Sequence, residues 1–468
     1  MANENVKELK KKLCYRSESA ARRMSEEEIA RADAYCEGYK AFLNSSKTER
    51  EVVKNVIALA EEKGFVPFDR KAALKPGDRV YYNNRGKALI LAVIGSRPIA
   101  DGVSVAAAHI DSPRLDMKPN PLYEDGELGY LDTHYYGGIK KYQWTAIPLA
   151  LHGVIVKKDG EVLPVCIGED AGDPIFCVTD LLPHLAQDQM KRPAGEIVRG
   201  EDLNILIGSR PFRTDDEGES ELVKLNLLNI LNEKYGVVEA DFLSAELEAV
   251  PAFPVRDMGL DRSMIGGYGH DDRVCAYPAV TSLLSLDAPE YTAVTLLADK
   301  EEIGSDGNTG TASEFFRYFI ADLAAMFGEE PRHVLSRSMC LSADVNVAFD
   351  PIYPETVERR NCASLNHGVV LTKYTGARGK SGTSDASAEL MGRFRRIMDA
   401  GDVCWQIGEL GRVDLGGGGT VAKFIANLDV DTVDLGVPVL SMHAPFEVVS
   451  KLDVYQAHKA FAALLDRK

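Results

Sequence analysis

The chain has 468 residues, 45% of them hydrophobic and 27% charged, the balance of a globular protein with room for two or three domains. Its net charge of −17 argues against the basic face that neutralises nucleic-acid phosphates, and against docking on anionic lipid. No run reaches the roughly 20 apolar residues of a membrane span, so neither nucleic acid nor membrane is an expected partner.

Residues 1–5 carry no apolar core of the signal-peptide kind. Residues 17–64 read as helical: Ser25 and Glu28 have capping-box spacing, and Val52, Val53, Val56, Ile57 and Leu59 recur at helical intervals. A hairpin turn is expected at residues 81–87, ahead of a buried strand at 88–93. Residues 104–108 form a second apolar run, which ends on His109-Ile110-Asp111. Beyond Pro113 the texture changes to glycines, prolines and repeated tyrosines, read as short strands to about residue 249 with one helix near 222–235. After Pro251-Ala252-Phe253-Pro254, helix and strand alternate again. Three apolar runs follow: 291–298 into Asp299-Lys300-Glu301-Glu302, 339–343 into Asp344, and 437–442 into His443. The expected fold is α/β, a doubly wound catalytic domain with a mostly parallel sheet flanked by helices. It would comprise residues 1–113 and 250–468, interrupted by a β-rich insertion at 114–249.

The eight cysteines are scattered with no CxxC pair, as suits reduced thiols in the cytoplasm. A metal in this chain would therefore be held by imidazole and carboxylate. His109, Glu302, Asp344 and His443 stand where strand-like runs end, the place where ligands collect in open α/β sheets. Asp272, in Gly269-His270-Asp271-Asp272-Arg273, precedes a helix-like stretch. Singly, a histidine at a strand end or a Glu-Glu pair in a turn is more often structural; together the five form a donor set for two divalent ions. Two metals about 3.5–4 Å apart can share a carboxylate and hold a water between them as nucleophile. The economical assignment makes Asp272 the bridge, with His109 and Asp344 on one metal and Glu302 and His443 on the other. On extended backbone Glu301 would point opposite to Glu302, towards the water, as general base. Asp111 would accept the free imidazole N–H of His109. The glycines at 416–419 lack the Lys-Ser/Thr of a phosphate loop and read as a turn.

At these residues the sequence resembles the M18 family of metallo-aminopeptidases, the aspartyl aminopeptidase group. The matching segments are Ala108-His109-Ile110-Asp111-Ser112-Pro113, Asp271-Asp272, Asp299-Lys300-Glu301-Glu302-Ile303-Gly304-Ser305, Ser342-Ala343-Asp344 and His443-Ala444-Pro445. The resemblance implies two metal ions per chain, zinc foremost with cobalt or manganese as alternatives. It also implies an inserted β domain used for dimerisation, and a tetrahedral homododecamer. It puts the bridge on Asp272, the base on Glu301 and the remaining ligands on His109, Glu302, Asp344 and His443. Substrates would be peptides, with acidic amino-terminal residues the family's best-known preference. The acidic-specific eukaryotic members carry Asn after the bridging Asp, where this chain has Arg273. They carry His three residues after the Ser-Ala-Asp aspartate, where it has Val347, and a second His four residues after the one matched by His184, where it has Asp188. Lys373 and Arg378 follow a strand-like run and are candidates to face an acidic side chain. The alternatives are a metal-dependent deacylase or carboxypeptidase on the same scaffold, or a catalytically silent shell-forming protein.

Overall fold

The computed structural model describes residues 6–15, 17–216, 218–376 and 378–468, so the reading of residues 1–5 lies outside it. The helical start is two long helices, Glu26–Ser45 and Glu49–Glu62. Each begins in a capping box: Ser25 with Glu28, and Thr48 with Glu51. The reciprocal bonds satisfy amides that the first turn would leave open, at about 1 kcal/mol per cap.

A nine-stranded sheet runs in the order Val66–Pro67, Arg79–Asn84, Ala88–Val93, Thr292–Ala298, Val103–His109, Met339–Ala343, Asp431–Gly436, Val369–Thr372, Trp405–Ile407. Its four central strands, from Thr292–Ala298 to Asp431–Gly436, are parallel. Side chains alternate across the sheet, so each strand feeds two cores. Leu89, Leu91 and Val93 pack with Val52, Val274 and Phe461 on one face; Ala88, Ile90 and Ala92 pack with Phe315, Val334 and Val421 on the other. Burial on both faces explains why these strands are apolar without alternation. Ala298 pairs with His109, and Asp344 follows Ala343 on the next strand but one, so three of the motifs leave the sheet at one end.

The strands between Arg114 and Pro251 form a separate antiparallel sheet of seven. Its own core includes Leu115, Trp144 and Val250, and the helix Leu222–Tyr235 packs on it through Leu227 and Leu231. A third, five-stranded sheet had no counterpart in the sequence reading: Arg256–Met258, Met264–Gly267, Glu447–Ser450, Pro438–Leu440 and Asn346–Val347. The strand before His443 belongs to this small sheet, so His443 approaches from outside the main one. No helix among the described residues is long and apolar enough to cross a membrane.

Buried charge joins the main sheet layer to the seven-stranded sheet. Lys87 Nζ lies 3.0 Å from Glu49 and 2.9 Å from Glu246, and Arg114 lies 3.4 Å from Glu49 and 3.3 Å from Glu248. Burial would raise the Glu49 carboxyl, yet Arg114 and Lys87 hold it down to about 2. Nearby, His152 is wedged between Glu51 at 2.7 Å and Glu169 at 3.0 Å. Burial works against its charge, but its polar neighbours Cys166, Glu169 and Glu51 push the imidazole up to about 11. A pKa raised on folding stabilises fully below the unfolded value and fades as pH climbs through the folded one. Replacing His152 with Leu should therefore cost about 3 kcal/mol near pH 6. The deficit in thermal midpoint against wild type should shrink as pH rises from 6.5 towards 11. A deficit independent of pH would refute the charged latch.

Candidate metal centre

Where the parallel strands end, His109 closes its strand at 1% exposure. Its Nδ1–H donates to the Asp111 carbonyl at 3.1 Å and faces the Asp111 carboxylate at 3.4 Å, which turns Nε2 inward. Nε2 then lies 3.1 Å from Asp271 Oδ1, 3.8 Å from Asp344 Oδ1 and 3.9 Å from Glu301 Oε2. Opposite, His443 donates from Nδ1 to the Gly138 carbonyl at 2.8 Å, and its Nε2 lies 3.2 Å from Asp271 Oδ2 and 3.7 Å from Glu302 Oε2. Both imidazoles thus have the outer nitrogen tied to an acceptor and the inner one free to act as a ligand.

The carboxylate between the imidazoles belongs to Asp271, whereas the sequence reading had put Asp272 there. Both residues have non-helical backbone at the start of the helix His270–Leu284, and the peptide between them is cis. Sequence spacing has no way to choose between adjacent aspartates in such a kink. Asp272 lies beside Asp271 and Asp344 with ligand atoms within 4.8 Å of theirs, but no imidazole faces it at contact distance. The residue following the carboxylate that faces both imidazoles is then Asp272, and Arg273 falls one position further on.

Glu301 and Glu302 do face different ways, Glu301 to His109 and Glu302 to His443. The cause is the 3-10 turn Glu301–Ile303 after Lys300 at φ 67°, not the alternation of an extended strand. Asp111 holds that turn: Oδ1 accepts from the Glu301 amide at 3.1 Å and Oδ2 from the Glu302 amide at 3.2 Å. Tyr136 adds a third bond, donating to Oδ2 at 2.8 Å.

Glu447 went unnoticed in the sequence. At 1% exposure, it accepts from the His443 amide at 2.8 Å and from the Asp271 amide at 3.1 Å, joining two side-chain donors through their backbones. Its position four residues after His443 carried no signal that separates it from a strand residue. Ser112 was also missed: its hydroxyl donates to the Asp271 carbonyl at 2.5 Å and accepts from the buried Arg273 at 2.7 Å. Thr420, after the glycines at 416–419, donates to Asp434 at 2.6 Å, which ties that turn to the sheet.

The electrostatics fit a cationic guest. Burial, then repulsion from Asp344, pushes Glu301 up to about 8. Burial, then Asp271, raises Glu302 well above the usual carboxylate range. Burial would depress both imidazoles, yet the facing carboxylates raise His109 and bring His443 up to about 10. Both carboxylate oxygens of Asp272 and Oε1 of Glu302 are buried with no hydrogen-bond partner among the described residues. Unpaired buried carboxylate is expensive unless it is protonated or matched by a cation. Histidine and carboxylate around such a site suit zinc and its neighbours.

Over residues 42–465 the sequence matches the family described as Aminopeptidase I zinc metalloprotease (M18). It is 50% identical over 436 residues to a probable M18 family aminopeptidase 1 of Clostridium acetobutylicum, covering 92% of this chain and 93% of that one. The chain belongs to the M18 family. It is a metallo-aminopeptidase, of a family of zinc enzymes. The crystal structure of the M18 aminopeptidase of Thermotoga maritima superposes with a TM-score of 0.92 at 42% identity, covering 97% of this chain and all of that one. The likeness to the yeast mApe1 dodecamer, TM-score 0.73 at 21% identity over 91% of this chain and 95% of that one, is one of fold.

Proposed function

We propose that this M18 aminopeptidase releases amino-terminal residues from peptides at a centre of two divalent metal ions, zinc foremost. Asp271 would be the carboxylate held in common by both, in place of the Asp272 expected from the sequence. His109 and Asp344 would hold one ion, Glu302 and His443 the other. The observation that carries this reading is Asp271, with Oδ1 at 3.1 Å from one imidazole and Oδ2 at 3.2 Å from the other. His109 has Asp344 at 3.8 Å and Glu301 at 3.9 Å beside it as well, and His443 has Glu302 at 3.7 Å. Such metals polarise a scissile carbonyl and bring the pKa of water towards about 7.

Glu301 is the general base. It lines the same space from the side of His109, with Oε2 3.9 Å from the imidazole Nε2, while its backbone amide is held by Asp111. It takes the proton of the attacking water and delivers it to the leaving amine. Asp111 is a positioning residue, because it holds the Glu301 and Glu302 amides together with the outer face of His109. Asp272 brings a further carboxylate within 4.8 Å of those of Asp271 and Asp344.

Side-chain preference is less acidic than the family resemblance suggests. Lys373, a candidate partner for an acidic substrate, is ion-paired with Asp385, which also engages Lys380. Self-association runs through the segment from 114 to 249, a unit in its own right. There Ile175, Leu181, Leu182, Leu185 and Met190 are all more than half exposed, apolar side chains of the kind that subunit contacts cover. The dodecamer of the yeast relative supports an assembly of that size. The free thiols suit a reducing compartment such as the cytoplasm.

Aminoacyl-anilides and peptides with free amino termini should be hydrolysed by the metal-loaded enzyme and spared when chelator is present, while N-acetylated peptides resist. Ranking Asp and Glu against Leu, Met and Lys tests the pocket; a strong lead for Asp and Glu would sink the neutral preference. Glu301→Gln should keep its metal and lose roughly 100- to 10,000-fold in turnover. Asp271→Asn should lower the bound metal measured by elemental analysis well below that of Asp272→Asn, and the reverse order would restore Asp272 as the bridge. Sedimentation of the wild type should show a large homo-oligomer; a monomer at micromolar concentration rules the assembly out.

A further inference from the structure

We infer that Tyr136, Gly137 and Gly138 form a strap by which the seven-stranded sheet sets the metal affinity of the centre in its own chain. The inference rests on the metal-centre reading above and adds positioning residues to it. A ligating imidazole needs its outer N–H held by an acceptor, which fixes the tautomer and the ring plane. For His443 that acceptor is the carbonyl of Gly138, at 2.8 Å. For His109 it is Asp111, whose backbone carbonyl lies 3.1 Å and carboxylate Oδ1 3.4 Å from Nδ1, and the same carboxylate accepts the Tyr136 hydroxyl on Oδ2 at 2.8 Å. Three consecutive residues of the inserted segment therefore orient both halves of the site.

The strap is built to lie close. Gly137 has φ +75°, a conformation that glycine adopts readily, and a Cβ there would come within 3.2 Å of Glu302 Oε2 and 3.3 Å of Glu302 Cβ. A Cβ on Gly138 would meet His443 Nδ1 at 3.3 Å. A side chain at either position would force a shift of a few tenths of an ångström between the strap and the residues it orients. The Tyr136 ring is fixed from behind: Tyr136 ends the strand Leu128–Tyr136, its register partner is Arg114, and the Arg114 guanidinium stacks 3.8 Å from the ring centroid. Arg114 is itself clamped by Glu49, Asp116 and Glu248 at the junction of the two sheets. A continuous chain of contacts thus runs from the junction through Arg114 and Tyr136 to Asp111, and on to His109, Glu301 and Glu302.

The test is metal affinity of the full-length protein, measured on the stripped chain by competition with a chromophoric chelator using zinc, and by the absorption of bound cobalt. Tyr136→Phe removes one hydroxyl and keeps the ring on Arg114. It should weaken binding of the metals by about 10- to 100-fold and change the cobalt spectrum. The thermal midpoint of the metal-free chain should stay close to wild type, which a merely structural role for Tyr136 would not allow. Gly137→Ala should weaken binding at least as much. Tyr135→Phe, on the neighbouring exposed ring, should bind as wild type does. Weakening below about fivefold in Tyr136→Phe overturns the inference, as does an equal loss in Tyr135→Phe. Wild type and His443→Ala measured alongside separate the two failures. If wild type binds about two ions and His443→Ala binds fewer, a normal Tyr136→Phe removes the strap alone. If wild type binds none, the metal-centre reading falls and the strap with it.

Discussion

Everything around the centre follows from one constraint: Asp271, Glu302 and Asp344 are carboxylates held out of water beside two imidazoles, with Asp272 crowded against Asp271 and Asp344. Like charges at this spacing repel strongly in a poorly solvated interior, so the arrangement needs a backbone that holds it and either protons or a cation to offset the charge. The fold supplies the holding. Asp111 accepts two successive amides of the Glu301–Ile303 turn, Glu447 accepts the amides of His443 and Asp271, and Ser112 pins the Asp271 carbonyl from the other side. Each donor set by a strand end is thus steadied by a residue from a different element. These donors are thereby held by contacts from outside their own group.

The second organising feature is the boundary between the main sheet and the seven-stranded sheet. It is charged where most internal boundaries are apolar. Lys87 and Arg114 bring Glu49, Glu246 and Glu248 to one place, and Lys47 spans from Glu169 to the Pro251 carbonyl. Interlocked ion pairs are directional, whereas apolar surfaces slide, so such a junction defines orientation more sharply than it adds stability. Orientation matters here because Tyr136 and Gly138 leave the second sheet and end on the metal centre.

Much of this was legible from residues in order along the chain. The capping box at Ser25, the hairpin before Ala88–Val93 and the apolar strands ending on His109, Asp299 and Asp344 depend on local propensity and periodicity. Local rules read them correctly because neighbours in sequence decide them. His109, Glu301, Glu302 and Asp344 stood out because a donor after an apolar run marks the mouth of a parallel sheet, whereas His443 stood out by the same rule although its strand belongs to the small five-stranded sheet.

What sequence could not decide were matters of direction and of contacts between distant segments. Asp271 and Asp272 are chemically identical neighbours, and only the non-helical backbone ahead of the helix turns one of them to the imidazoles. The opposed Glu301 and Glu302 were anticipated, but through a strand that is in fact a 3-10 turn held by Asp111. Glu447, Ser112, Tyr136 and Gly138 gain their roles from partners between 4 and 305 residues away, reached by three different sheets. By itself the sequence determined which residue types gather and at which ends of which elements, because periodicity and donor chemistry are local. The tertiary structure alone decided which oxygen faces which nitrogen, because that depends on backbone angles and long-range packing that no spacing along the chain encodes.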